Sequence, residues 1–116
     1  MGRKMVEADM RLTPEERAAG IGLKCLILAK EYPSGKIARV MSPRAITYWE
    51  HDGASWTLES QTEPAEDNSA GIYVTTKATE ARRYRGTLCK VILSGTVIEH
   101  EHGARGQKAR LLEVCE

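Results

Sequence analysis

Residues that favour tight turns divide this chain into short apolar segments, and this spacing constrains its fold more than any other feature. The first apolar run leads through Pro33-Ser34-Gly35 into a segment that alternates at period two, and this pattern predicts a β-hairpin. Asp52-Gly53 predicts the tight turn of a second hairpin, and Ser94-Gly95 that of a third. The paired segments are 23–31 with 36–40, 45–50 with 54–59, and 87–93 with 96–101, while 71–75 and 107–114 are further strands.

Two helices are predicted from start and stop signals. Thr13-Pro14-Glu15-Glu16 has the capping hydroxyl, first-turn proline and glutamate of a capping box, so a short helix should cover about 14–19. Thr76 can cap a main helix over about 77–85, which Gly86 would end. The predicted fold class is therefore α+β, with a mostly antiparallel sheet of six or seven short strands beside one main helix.

Length and composition predict one domain with an aliphatic core. A chain of 116 residues supplies one hydrophobic core, 41% of it is apolar and 28% charged, and it contains no Phe. Residues 1–12 have no clear period and are predicted as a flexible N-terminal arm, and 13–116 as the domain.

Cysteine usage and hydropathy predict a cytoplasmic protein, in the host cytoplasm if a phage encodes it. Cys25, Cys89 and Cys115 are too few and too far apart for a disulfide framework or a zinc motif, which fits a reducing compartment. No apolar run approaches the roughly 20 residues needed to cross a bilayer, and no secretory signal pattern occurs at the N-terminus.

Charge is unevenly distributed along the chain. Residues 45–76 contain no Lys or Arg but include Glu50, Asp52, Glu59 and three further acidic residues. The charged residues within 77–110 are mostly basic. The two segments either present opposite faces or pair with each other.

The C-terminal 45 residues have a recognisable pattern. Gly71-Ile72-Tyr73-Val74-Thr75 precedes an alanine-rich helix ending at Tyr84, and a strand reaching Gly95 is followed by an acidic and histidine-containing segment, a Gly-Arg turn and a last strand. This pattern resembles small uncharacterised phage, prophage and bacterial domains. The resemblance implies a mobile-element origin and a compact α+β fold. Tyr73 stands where several of those relatives have a histidine.

Glu99-His100-Glu101-His102 is the densest group of potential metal ligands. On a strand, His100 and His102 would share one face, because side chains alternate. A zinc site needs three or four ligands, so no metal site is predicted and these two histidines are only weak candidates. The alternative is a solvated strand end.

Basic and aromatic residues are the candidate binding groups. The basic ones could form a patch for phosphate or for a carboxylate-rich surface, but few aromatics are interleaved with them, as single-strand binding would require. The two tryptophans could anchor a protein interface if exposed, and would replace the missing Phe if buried. The predicted binding residues are Arg82, Arg83, Arg85, Arg105, Lys108, Arg110, Trp49 and Trp56.

The strand and helix over 71–85 also resemble small ADP-ribosyltransferases. That resemblance implies that Tyr73 would stack on nicotinamide, and that Glu99 or Glu101 would stabilise the oxocarbenium-like ribose. Outside this resemblance no catalytic residue is predicted, since no nucleophile elbow occurs.

The sequence favours a small non-enzymatic binding or modulator protein of phage or mobile-element type, without a cofactor. Its expected partner is a host protein or nucleoprotein complex, and an inhibitor of a host defence complex is one example. Two alternatives stay open: an NAD-using enzyme similar to ADP-ribosyltransferases, and a nucleic-acid-binding accessory protein. No membrane partner is expected.

Overall fold

A computed structural model describes residues 12–44, 47–67 and 69–115. Two helices are present in this part of the chain, α1 (Pro14–Ala18) and α2 (Ala78–Ala81). Eight strands accompany them: β1 (Ile21–Glu31), β2 (Lys36–Ser42), β3 (Thr47–Tyr48), β4 (Glu50–His51), β5 (Trp56–Glu59), β6 (Ile72–Thr75), β7 (Thr87–His100) and β8 (Gly103–Val114).

Four of the strands form a ring in which every neighbouring pair is antiparallel. β1 pairs with β7, β7 with β8, β8 with β6, and β6 returns to β1. Leu23 lies opposite both Lys90 and Thr75, so β7 and β6 occupy opposite edges of β1. The ring closes on β6 through the single residue pair Leu23 and Thr75.

The remaining strands extend the sheet beyond this ring. β2 pairs with the later part of β1 and β3 with β2, while β5 pairs with β8 and β4 with β5. Trp49 lies between β3 and β4, and its backbone N–H donates to the carbonyl of Val40 at 2.8 Å. Strand β1 therefore pairs with β7 along its first half, with β2 along its second half, and with β6 at Leu23.

The sheet is covered on both faces at β1. The large core includes Leu26, Cys89 and Val91 together with Val40, Trp49 and residues of β6 and β8. The small core lies under α2 and contains Leu23, Cys25, Ala78, Ala81, Leu88 and Leu12. Because β1 contributes to both cores, its sequence is a nearly continuous apolar run and does not alternate.

The predicted α+β class with one main helix over 77–85 is wrong. Strands make up 56% of the structure and helices 9%, and α2 is one turn long. Thr76 does not cap α2, because its hydroxyl donates to the carbonyl of His102 at 3.2 Å and so holds the chain to the sheet. The short N-terminal helix is present over Pro14–Ala18, with the capping box between Thr13 and Glu16.

The predicted turn at Ser94-Gly95 is also wrong. Strand β7 continues through both residues to His100, and the chain reverses at Glu101 and His102. The register between β7 and β8 shifts between Ser94 and Val97, and Gly95 has a φ of 73° there. A glycine in a left-handed conformation within a β-bulge gives the same local sequence signal as a glycine in a tight turn.

The predicted N-terminal arm, residues 1–12, lies outside the described residues except for Leu12. The Leu12 side chain is buried in the small core. No helix in the described ranges is both long enough and apolar enough to span a membrane.

Candidate functional site

A cleft opens where β6 separates from β1, and we call it the seam cleft. It has a volume of about 800 Å³ and is lined by β1, β6, α2, the end of β2 and the chain after β5. Its charged lining comprises four cations, Lys24, Arg44, Arg83 and Arg105, and two carboxylates, Glu59 and Glu80. Cations therefore outnumber carboxylates two to one in the cleft.

Lys24 is the most unusual of these residues, because it lies in the middle of the apolar β1. It is directly opposite Cys89 on β7, so its side chain leaves the sheet on the face of the large core. Its Nζ donates to the carbonyl oxygen of Tyr73 at 2.9 Å. Burial lowers the pKa of Lys24 to about 8, and the positive charges of Arg105 and Arg44 act in the same direction.

Arg105 lies beside Tyr73, its partner across β8 and β6. The guanidinium carbon is 5.1 Å from the centroid of the Tyr73 ring, and Nη1 donates to the carbonyl of Gly71 at 2.9 Å. Burial lowers the pKa of Arg105 and raises that of Tyr73. Lys24 and Arg105 thus bind two carbonyls, one within β6 and one just before it.

The rim of the seam cleft carries two exposed arginines and the exposed ring of Tyr84. Arg44 and Arg83 are exposed, and neither forms an ion pair with any residue in the described ranges. Tyr84 follows α2 and is 42% exposed. Glu80 Oε2 accepts a hydrogen bond from Thr75 Oγ1 at 3.2 Å, which fixes this carboxylate at the edge of β6.

The basic residues predicted as one patch are divided between different sites. Arg83 and Arg105 line the seam cleft, Arg82 is half-buried, and Arg85 is exposed. Lys108 and Arg110 are on the β8 segment that pairs with β5, where Lys108 faces Glu59.

The acidic and basic segments of the chain pair with each other at this point. Arg110 Nη2 contacts Asp52 Oδ2 at 2.7 Å, and β5 and β8 are neighbours over three residue pairs. Backbone hydrogen bonds from Ser55 and Ala54, followed by the Arg110 contact, lower the pKa of Asp52 to about 2. Of the two arrangements left open by the charge pattern, pairing is the one observed here.

Neither predicted tryptophan anchor is a freely exposed ring. Trp49 is 3% exposed in the large core, and its indole N–H donates to Ser42 Oγ at 2.9 Å. Trp56 is half-buried and meets His51 edge to face at a centroid distance of 5.0 Å. Both rings supply the bulk that phenylalanine would otherwise provide.

Tyr73 and Glu99 are on opposite faces of the sheet. Tyr73 on β6 is opposite Arg105 on β8, which in turn is opposite Ile98 on β7. Glu99 on β7 is opposite Ala104 on β8, which in turn is opposite Val74 on β6. Because directly opposed residues share a face and successive residues alternate, the two side chains diverge. Glu101 is in the turn after β7. The carboxylate that lines the cleft with Tyr73 is instead Glu80.

Among the described residues, no third potential metal ligand joins His100 and His102 in one group. His102 is in the turn at the end of β7, 3.7 Å from Glu101, and its side chain is 48% exposed. His100 Nε2 is buried without a hydrogen-bond partner among the residues that the structure describes. Over the described parts of the chain, no three His, Cys, Asp or Glu side chains are placed to hold a metal ion.

Sequence reasoning missed Lys24, Arg44 and Glu80. A signal for Lys24 exists, because it is the one charged residue inside the run from Leu23 to Ala29. A lysine in a strand that is buried on both faces must find a polar partner or a cleft. Arg44 and Glu80 carry no comparable local signal, since their roles depend on how distant strands meet.

Comparisons of this chain with models of protein families, with curated proteins and with solved structures found no match. The geometry of the seam cleft is therefore the basis for assigning a function.

Proposed function

We propose that this protein is a binding protein whose seam cleft holds a small ligand carrying a phosphate group and a planar ring. The observation that carries the proposal is the position of Lys24, whose ammonium lies in the wall of a cleft lined by Arg44, Arg83 and Arg105. Keeping these cations together costs free energy in the empty protein. An anion in the cleft offsets this cost.

A phosphate fits the chemistry of this site. Arginine binds phosphate through paired N–H donors, and lysine contributes a compact charge. Arg44 and Arg83 carry no ion pair with a described residue, so their N–H groups are available to a ligand without breaking an ion pair within the described chain. The cleft volume of about 800 Å³ lies within the range of small-molecule sites.

Tyr84 is the reason for proposing that the ligand carries a planar ring. An exposed tyrosine at the rim of a cationic cleft offers a stacking surface, and base stacking on an aromatic side chain contributes about 1–3 kcal/mol. Glu80 and Thr75 add an acceptor and a hydroxyl nearby for polar groups of the ligand. A nucleotide combines all of these features.

The wider role expected from the sequence, a modulator of a host macromolecule, is compatible with this cleft. We propose that such a partner would present its phosphate-bearing group to Arg44 and Arg83, since these two are exposed. The separation of Lys108 and Arg110 from the cleft favours a confined site over a continuous nucleic-acid track. The divergence of Tyr73 and Glu99 disfavours a transferase site built on that pair.

Calorimetric titration with adenosine 5′-monophosphate tests the proposal. Wild-type protein is expected to bind it more tightly than either ribose 5-phosphate, which lacks the ring, or adenosine, which lacks the phosphate. Lys24→Met should weaken binding about tenfold to a hundredfold, since a hydrogen bond to a charged group contributes about 1.5–3 kcal/mol. Arg44→Met and Arg83→Met should each weaken it about 1.5-fold to fivefold, because these side chains are exposed.

Arg39→Met is the matched control, since Arg39 is exposed on β2 and contacts Tyr48 outside the cleft. It should bind the nucleotide as the wild type does. Arg44→Met and Arg83→Met replace exposed residues, so their effects do not depend on a change in folding. Equal affinity of the wild type, Arg44→Met and Arg83→Met for the nucleotide, or no binding at all, would refute the proposed function.

A further inference from the structure

We propose that Lys24 is a reactive amine that forms an imine with a phosphate-bearing aldehyde held in the seam cleft. The proposal rests on the proposed function for its phosphate site and adds a covalent step to it. Lys24 lines the seam cleft, and two further features of the structure carry the proposal: the burial of its side chain and the cations around it.

The first feature is the surroundings of the Lys24 side chain. It leaves β1 on the side of Cys89 and the large core, and it is half-buried in the wall of the seam cleft. No carboxylate forms an ion pair with Lys24 within the described ranges, and the partner of its Nζ is the carbonyl of Tyr73, a neutral acceptor. An amine in this setting can donate one N–H to Tyr73 and still keep its lone pair for a carbonyl carbon.

The second feature is the pair of neighbouring arginines. Arg105 and Arg44 disfavour a further positive charge on Lys24, and burial has the larger effect in the same direction. Lysines made nucleophilic by desolvation or by an adjacent cation are the type that forms imines with carbonyl compounds. The same arginines attract the phosphate of an incoming aldehyde.

The covalent step is balanced without an oxidant or a reductant. The lone pair of neutral Lys24 Nζ attacks the aldehyde carbon, and the carbonyl oxygen takes up a proton as nitrogen loses one. The resulting carbinolamine expels water, and a carbon–nitrogen double bond remains. Hydrolysis reverses the step, so the bond is a reversible capture of the aldehyde.

Lys90 provides an internal comparison. It lies next to Cys89 on β7, but its Nζ contacts Glu16 Oε2 at 2.7 Å, and this hydrogen bond raises the pKa of Lys90. Its lone pair is therefore occupied by a proton at neutral pH. Lys30, exposed near the end of β1, represents an ordinary surface lysine.

Trapping with borohydride and peptide mapping tests the inference. The probe is pyridoxal 5′-phosphate, an aldehyde with a ring and a phosphate, at about pH 8 and at limiting concentration. Reduction converts each imine to a stable secondary amine that mass spectrometry locates. Lys24 is expected to be labelled at least about tenfold faster than Lys30 or Lys90, because far more of it is neutral at this pH.

Two comparisons separate the covalent step from phosphate binding. Pyridoxal, which lacks the phosphate, should label Lys24 at least about tenfold more slowly, in line with the loss of a charge-assisted contact. Arg44→Met should slow labelling by the phosphate-bearing probe more than labelling by pyridoxal, because pyridoxal loses only the effect of Arg44 on the pKa of Lys24.

Labelling spread evenly over the surface lysines, with Lys24 unmodified, would overturn the inference. If adenosine 5′-monophosphate still binds in that case, the proposed function stands and only the reactive lysine is lost. If Lys24 is labelled equally fast by both probes and the nucleotide does not bind, the phosphate site fails and with it the proposed function.

Discussion

The wild type is expected to gain about 3 kcal/mol in its free energy of unfolding as the pH rises from about 7 to 10.5, and replacing Lys24 by methionine should remove this gain. The pKa of Lys24 is about 8 in the folded protein, and that of an unfolded lysine is near 10.4, a difference of roughly 2.5 pKa units at about 1.4 kcal/mol each. Between these two values the unfolded chain binds more protons than the folded chain. The free energy of unfolding of the wild type therefore rises with pH in this window.

The measurement is denaturant unfolding of the wild type and of Lys24→Met at several pH values from about 7 to 10.5. Ionisation of groups that do not interact with Lys24 affects both proteins equally and cancels in the difference. The difference should be constant below about pH 7.5 and then move in favour of the wild type by about 3 kcal/mol. With Lys30→Met as the control, the difference from wild type should stay flat, because Lys30 is exposed. A flat difference for Lys24→Met as well would mean that Lys24 is not held in a desolvated, cationic site.

Gly86→Ala is expected to destabilise the protein by about 3 kcal/mol or more, from backbone strain and overpacking combined. Gly86 precedes β7 with a φ of 117°, which side chains rarely adopt. A Cβ there would lie 2.4 Å from the carbonyl oxygen of Leu26, a backbone atom of β1 that cannot move aside without disturbing the sheet.

Gly35→Ala is the matched control for this substitution. Gly35 also has a positive φ, 70°, but a Cβ at this position would meet nothing within 4 Å. Its expected cost is the left-handed conformation alone, about 1–2 kcal/mol. Thermal and denaturant unfolding compare the two variants, and equal losses of stability would show that Gly86 does not make the close approach to β1.

Local signals in the sequence predicted those parts of the fold that depend on neighbouring residues. The capping box at Thr13 and the turn at Pro33-Ser34-Gly35 between β1 and β2 are observed. Each depends on residues within a few positions of one another. Such features do not require knowledge of the rest of the chain. The predicted pairing of 45–50 with 54–59 is only partly right, because β4 and β5 pair across a longer loop over 52–55 while β3 pairs with β2.

The predictions that failed depend on distant contacts. Residues 77–85 have helix-favouring composition, yet α2 ends at Ala81, while Tyr84 and Gly86 belong to the connection that leads into β7. At Gly95 a bulge against β8 replaced the predicted turn. At Gly95 pairing with another strand outweighs the local preference.

The seam cleft could be predicted only in part. Arg83 and Arg105 were identified as basic binding residues from the sequence, but they come together with Lys24 because β6 pairs with β1 across about fifty residues of chain. One residue pair, Leu23 with Thr75, sets the point at which β6 separates from β1. No periodicity in the sequence marks that position. The polar residue inside the apolar β1 was the available clue.

Proton uptake on nucleotide binding tests the central claim most directly, namely that a phosphate group binds beside Lys24 in the seam cleft. At about pH 8.5 the phosphate of adenosine 5′-monophosphate is already fully ionised, because its second pKa is near 6. Most of Lys24 is neutral at this pH and should regain its proton when the anion binds. Titration calorimetry in two buffers of different ionisation enthalpy should then give an uptake of about 0.7 proton per nucleotide for the wild type. Lys24→Met should show an uptake near zero, and tight binding by the wild type without proton uptake would contradict the account.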